Sequence, residues 1–157
     1  MTEKLNKAQS FIEAIGLVSV IAGLIFVVIE LRQGQEQMAA QTRQAISQGA
    51  INFLNRENES AEFSDLLMRG DSGQKLTPVE NYRYTLHVVS MFVYWENYQY
   101  QFEAGMLEED EYNPQLKVWK FRISSPGRHR VWCQQKRTFS KRLALQLDKL
   151  MKVQCIE

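Results

Sequence analysis

The side chains that could do chemistry in this chain are few and isolated from one another. His87 and His129 are its two histidines, and neither lies in an HExxH or ExxH pattern. Cys133 and Cys155 are its two cysteines, and they form neither a CxxC pair nor a metal-ligand spacing. Two cysteines can form one disulfide, but nothing in the sequence demands it, so we expect reduced thiols. Since no Gly-rich phosphate loop or GxSxG motif occurs either, the sequence predicts no catalytic residue, no metal and no cofactor.

Four consecutive acids occur at Glu108, Glu109, Asp110 and Glu111. They lack the alternate-position spacing of a calcium-binding loop, which makes calcium the weaker interpretation. Their position just before an apolar helical pattern instead indicates the first turn of a helix, where the helix dipole favours negative charge.

The best-marked element of the chain is a helix beginning at Thr77-Pro78. Thr77 is suited to cap it, proline suits the first helical position, and Glu80 completes a capping box. Large apolar side chains then recur at spacings of three and four as far as Gly105, which predicts a core helix. Its core aromatic stripe consists of Tyr84, Met91, Trp95, Tyr98 and Phe102.

An alternative use of this stripe is a ligand pocket that also employs Glu96, Asn97 and His87. Glu96 and His87 are nine residues apart, which places them half a turn out of phase on a helix. This helix alone therefore does not predict a site, and we interpret the stripe as core packing.

Weaker helical patterns flank this element. Apolar residues recur over 63–68 and 116–123, and Ser125-Pro126 and Ser140 are further helix starts. The predicted fold is therefore all-α, with a single N-terminal transmembrane helix that continues into a small bundle of four or five helices.

The longest apolar segment covers residues 14–29 and contains no charge. A helix rises about 1.5 Å per residue and needs about 20 residues to cross about 30 Å of hydrocarbon, which residues 11–31 supply. A cleavable signal peptide would have a small-x-small site directly after the segment, but residues 30–33 (ELRQ) follow it. A soluble core helix would keep a polar stripe, and this segment has almost none. We therefore predict a polar tail at 1–10, a transmembrane helix at 11–33 and a helical soluble domain at 34–157.

Small residues within the span share one face. A helical projection places them, together with Glu30, within an arc of about 60°. Small residues at a spacing of four allow helix backbones to approach closely in lipid. This predicted association face consists of Gly16, Ser19, Gly23, Glu30 and Gly34. It predicts self-association or association with another membrane protein.

Charge is divided unevenly, although the formal net charge is only +1. Residues 57–111 carry a formal charge of −9, and residues 117–157 carry +9. Such blocks indicate pairing within or between chains, or a basic surface on anionic lipid headgroups. The predicted basic surface consists of Arg128, Arg130, Lys136, Arg137, Lys141 and Arg142. Without a recognisable binding motif, we do not expect nucleic acid as a partner.

Three short motifs, taken together, resemble a widespread group of bacterial proteins of unknown function with one N-terminal span and a small helical domain. The motifs are residues 30–33 (ELRQ), residues 95–100 (WENYQY) followed by 105–107 (GML), and residues 125–128 (SPGR) with Trp132 and Phe139. The resemblance implies a bacterial inner-membrane origin and brings no activity, cofactor or functional residue with it.

The orientation of the domain rests on two arguments, because Lys4 and Lys7 before the span nearly balance Arg32 and Arg43 after it. The basic C-terminal block would be attracted to the anionic cytoplasmic leaflet, and unpaired cysteines suit a reducing compartment. We therefore expect a cytoplasmic domain.

Three classes of function compete. We expect a membrane-anchored helical scaffold or accessory subunit without catalysis. The first alternative is a pore-forming homo-oligomer with Glu30 facing a central path. The second is a ligand-binding module built on the aromatic helix.

Overall fold

The computed structural model describes the backbone of residues 2–151 and of Cys155, and the side chains of residues 12, 13, 15–151 and 155. The side chains of the predicted polar tail, of Phe11 and of Ala14 therefore lie outside the described residues. The chain divides into two compact units, Met1–Gln41 and Thr42–Glu157.

The described residues form six α-helices and no strand, which confirms the all-α class. The helices are α1 (Thr2–Glu57), α2 (Ala61–Asp71), α3 (Pro78–Glu103), α4 (Glu109–Ile123), α5 (Pro126–Gln135) and α6 (Lys141–Leu150), with a 3₁₀ turn at Lys136–Thr138. The predicted bundle of four or five helices is slightly too small. The C-terminal part of α1 contacts α3, α4 and α5. Phe53 stacks on His87 of α3 at a centroid distance of 4.7 Å, and Glu57 pairs with Arg122 of α4 and Arg128 of α5.

The first unit is the N-terminal part of α1. The three prolines of the chain all follow residue 77, so nothing interrupts the helical hydrogen bonds of α1. Every side chain described between residues 15 and 29 is exposed. Among the described residues, α1 is the one helix long and apolar enough to cross a membrane. Signal sequences and soluble core helices share that length and composition, so the span itself remains a proposal.

The starts of α3, α5 and α6 are as predicted. Thr77, Ser125 and Ser140 each accept a hydrogen bond from the backbone N–H three residues later, and Thr77 forms a complete capping box with Glu80. The acidic cluster occupies the beginning of α4, with Glu108 as the N-cap residue.

Helix α3 is the centre of the bundle and contacts α2, α4, α5 and α6. Four members of its core aromatic stripe, Tyr84, Met91, Trp95 and Tyr98, are buried. Phe102 is half-buried and stacks on Tyr112 of α4 at a centroid distance of 4.0 Å. Four further aromatic side chains are buried in the core from α3, α4 and α5: Phe92, Tyr112, Trp119 and Trp132.

Two glycines allow α2 and α5 to meet over Tyr84. A Cβ atom added to Gly127 would lie 1.9 Å from the carbonyl oxygen of Gly70 and 2.6 Å from the Tyr84 hydroxyl. A Cβ atom on Gly70 would lie 2.3 Å from the Tyr84 ring. Only residues without a side chain fit this crossing, because any Cβ would overlap its neighbours.

The prediction of reduced thiols is wrong, because Cys133 and Cys155 form a disulfide. Their Cα atoms are 5.3 Å apart, within the range that a disulfide spans. The 22 residues between them conceal this proximity in the sequence, since the chain passes through α6 before it returns to α5. The disulfide also removes the cysteine argument for a cytoplasmic domain.

We predict that Gly127→Ala lowers the free energy of unfolding of the bundle by about 3 kcal/mol, because the new methyl group must displace backbone. Circular dichroism during urea unfolding of the detergent-solubilised protein measures the change. Gly34→Ala is the matched control, since a Cβ there meets nothing within 4 Å. Equal stability of the two variants would contradict the close approach.

Candidate functional site: the Glu57 cluster

The described part of the bundle contains an extended network of ionisable side chains that is largely withdrawn from solvent. We call it the Glu57 cluster. Its members come from five helices, α1 to α5, and are Glu57, Asp71, Tyr84, His87, Arg122 and Arg128.

Glu57 is the last residue of α1 and accepts hydrogen bonds from three helices. Its Oε1 lies 2.8 Å from Nη1 of Arg122, 3.2 Å from Nε2 of His87 and 3.5 Å from Nη2 of Arg128. Its Oε2 lies 3.3 Å from Nη2 of Arg122, so the carboxylate and this guanidinium group form a two-point contact. The Glu57 side chain is only 19% exposed.

Asp71 forms the second carboxylate centre of the cluster. Its Oδ1 accepts hydrogen bonds from Nε of Arg128 and from the Tyr84 hydroxyl, each at 2.8 Å. Arg128 is therefore held between two carboxylates, and its Nη1 also contacts Met91 Sδ at 3.4 Å.

The assignment of Arg128 to the basic surface is wrong. Arg128 is 6% exposed, because it lies in the third helical position after Ser125 and is directed inward toward Asp71 and Glu57. A buried guanidinium group is tolerated when its charge is paired, as it is here.

His87 is enclosed by two aromatic rings. It stacks on Phe53, and Phe63 meets it edge-on at 5.5 Å. Since an ionised carboxylate can only accept hydrogen bonds, Nε2 of His87 donates to Glu57. Nδ1 of His87 is buried and has no hydrogen-bond partner among the described residues.

Electrostatics keep Glu57 ionised. Burial raises the pKa of its carboxyl group, but hydrogen bonds from His87 and Arg122 and the positive charges of Arg122 and Arg128 outweigh burial and lower this pKa to about 2. The pKa of Tyr84 is raised by burial and by its hydrogen bond to Asp71. Glu57 is therefore an anion and Tyr84 a neutral donor near pH 7, which suits a permanent clamp between helices better than proton transfer.

A cleft of about 500 Å³ opens beside the cluster. Its polar lining is Glu57, Asp71, Arg122, Ser124, Ser125 and Arg128, with Phe121 on one side. The two guanidinium groups are already paired with the two carboxylates, so the cleft offers a bound anion no uncompensated arginine.

A second cavity of about 300 Å³ lies between the end of α1, α3 and α4. Its lining includes Phe53, Met91, Tyr94, Trp95 and Tyr98, so part of the core aromatic stripe does reach a cavity. The Tyr94 hydroxyl donates to the backbone oxygen of Ile46 at 3.3 Å, and burial raises the pKa of Tyr94 to about 12.

The opposite charge blocks pair within the chain. Glu57 and Asp71 from the acidic block contact Arg122 and Arg128 from the basic block, and Glu103 contacts Arg142. Within the basic block, Lys136 pairs with Asp148. Of the remaining predicted basic surface, Arg137, Lys141 and Arg142 are exposed, and Arg130 and Lys136 are half-buried.

The predicted association face is on α1. Gly16, Gly23 and Gly34 have open space where a Cβ would stand, and Glu30 is exposed. Ser19 Oγ donates to the backbone oxygen of Ile15 at 2.8 Å, which satisfies its hydroxyl within the helix.

Sequence reasoning missed the Glu57 cluster, because its six members come from five helices and share no spacing. The opposite charge blocks were the available signal for pairing within the chain, but they do not say which acid meets which base. Sequence reasoning also missed that His129, Cys133 and Cys155 lie together.

No family model matches this chain, and neither a curated protein nor a solved structure is significantly similar to it. The resemblance to a bacterial group with one span therefore stays a prediction.

We predict that Glu57→Gln lowers the free energy of unfolding of the bundle by about 3 kcal/mol, because it leaves two arginines with one carboxylate. Urea unfolding followed by circular dichroism measures it. Glu62→Gln is the matched control: Glu62 is 84% exposed and pairs with Arg83 at 3.3 Å, and its loss should cost less than about 0.5 kcal/mol.

The same clamp predicts a pH dependence. Because the pKa of Glu57 falls from its ordinary value of 4.5 to about 2 on folding, its stabilisation is complete above the ordinary value and is lost as the pH falls toward 2. The stability difference between the native protein and Glu57→Gln should therefore shrink by about 3 kcal/mol across that range. A difference that is constant with pH would contradict the assignment.

Proposed function

We propose that this protein is a membrane-anchored helical scaffold or accessory subunit that self-associates and has no catalytic centre of its own. The observation that carries the proposal is the exposed apolar segment of α1, residues 15–29, in the same chain as an independently packed helical bundle. An apolar surface of this size in water is costly, and a lipid bilayer or other helices would cover it.

The Glu57 cluster supports a structural role for the bundle. Its two carboxylates and two guanidinium groups balance one another, and each is engaged between helices. Breaking such a pair is costly, so the cluster rigidifies the helices that it joins. A rigid body attached to a span is what a scaffold requires.

A ligand-binding module is the second candidate, favoured by the cavity beside Phe53 and Trp95. Its volume of about 300 Å³ is at the lower end of small-molecule sites, and its lining is mostly apolar. A ligand for it would be a small apolar or aromatic molecule.

We propose the bacterial inner membrane as the location. Disulfides persist in oxidising compartments, so the Cys133–Cys155 disulfide favours the outer side of that membrane for the bundle. Attraction of the C-terminal block to anionic lipid on the cytoplasmic side is weaker than the sequence indicates, because Arg128 is buried and Lys136 and Arg142 are paired with acids.

We predict that Gly16→Leu with Gly23→Leu converts the oligomer to a monomer in mild detergent, because leucine side chains keep the helix backbones apart. Native mass spectrometry of the intact particle measures the copy number. The matched control is Val18→Leu with Ile25→Leu, which has the same spacing on the opposite side of the helix.

The proposal fails if the native protein is recovered without detergent from the soluble fraction after lysis. It also fails in its self-association part if both double variants keep the native copy number.

A further inference from the structure

Three metal-ligating side chains converge at the C-terminal end of the described chain. His129 and Cys133 are four residues apart on α5, and Cys155 reaches them from beyond α6. One ligand atom from each lies within 4.8 Å of the other two, and all three residues are half-buried. The two sulfur atoms are bonded to each other.

The spacing of histidine and cysteine already fits a tetrahedral metal ion. With a Zn–N bond of about 2.0 Å and a Zn–S bond of about 2.3 Å, tetrahedral geometry places nitrogen and sulfur about 3.5 Å apart. Nε2 of His129 lies 3.7 Å from Sγ of Cys133. Because both residues are on one helix, this pair needs no rearrangement of the backbone to bind.

Only the two sulfur atoms must move apart. A tetrahedral zinc ion holds two thiolates about 3.8 Å from each other, and rotation of the cysteine side chains can supply that separation once the disulfide is cleaved. The ion and the disulfide therefore exclude each other.

We propose that His129, Cys133 and Cys155 form a redox-gated site for a borderline-soft cation such as Zn²⁺. In the oxidised chain the cysteines staple the segment after α6 to α5. In the reduced chain the same cysteines, with His129, hold one metal ion.

Two equivalents of a thiol reductant deliver two electrons and two protons to the disulfide, which gives two cysteine thiols and one external disulfide. Zn²⁺ then binds both sulfurs and Nε2 of His129, and the two thiol protons are released to solvent. The two thiolate charges neutralise the ion, so the half-buried site gains no net charge.

The donor set selects the metal. One imidazole nitrogen and two thiolates suit Zn²⁺ or Cu⁺, whereas Mg²⁺ and Ca²⁺ require oxygen ligands. Three protein ligands leave the fourth tetrahedral position to water, an arrangement found in zinc sites that keep an open position.

The test is a Co²⁺ titration of the full-length, tag-free protein in detergent, reduced with a phosphine under argon and freed of metal. We expect thiolate-to-cobalt charge-transfer absorption and tetrahedral d–d bands, saturating at one ion per chain and displaced by Zn²⁺. The oxidised protein has the same surface carboxylates and is the matched control, so it should show neither signal.

Ligand variants assign the site. His129→Ala keeps both thiols but removes one ligand. It should weaken Zn²⁺ binding by more than about tenfold, because loss of a group that only hydrogen-bonds to a ligand already weakens metal binding by about that factor. Cys133→Ser and Cys155→Ser should each remove most of the charge-transfer absorption. Absorption that persists in either serine variant overturns the three-ligand site.

Circular dichroism separates binding from folding. If the reduced protein loses helix and Zn²⁺ restores it, metal binding is coupled to folding and the proposal is supported. If the reduced protein stays folded without binding Co²⁺, or unfolds and is not rescued by Zn²⁺, the proposal is overturned. None of these outcomes depends on the scaffold function.

Discussion

The pairing of Glu57 with Arg122 and Arg128 is the interaction on which the bundle most depends. Glu57 ends α1, whereas its partners belong to α4 and α5, and His87 of α3 donates to the same carboxylate. Removing one member would leave the others as poorly compensated charges away from water, and the cost of that state is larger than the gain from any exposed ion pair. The cluster therefore couples four helices through one side chain.

The apolar core and the Glu57 cluster are connected through Tyr84, which belongs to both. Tyr84 packs its ring against Gly70 and its hydroxyl beside Gly127, and this hydroxyl donates to Asp71, which in turn holds Arg128. The close crossing of α2 and α5 and the polar network thus share a side chain. A change in the core at this point also disturbs the charges.

This organisation explains how a chain with a net charge near zero can carry two strongly opposed charge blocks. Part of the opposition is resolved by ion pairs within the chain, where Glu57 of α1, Asp71 of α2 and Glu103 of α3 meet arginines of α4, α5 and α6. The exposed bases that remain are fewer than the sequence indicates, which weakens the case for lipid attraction through the C-terminal block. The disulfide also weakens the case for a cytoplasmic domain, because the two cysteines are not free thiols.

The sequence by itself determined the helical class, the starts of α3, α5 and α6 and the inward face of α3. These features depend on residues close together in the chain: Thr77 with Glu80, Ser125 with Pro126, and apolar side chains three and four apart. The apolar character of residues 14–29 is equally local. Only the tertiary structure decided that Arg128 is buried, that Glu57 meets His87 and that Cys133 meets Cys155. Each of these features depends on contacts between distant segments of the chain. Such contacts are set by how whole helices pack, which no local pattern encodes.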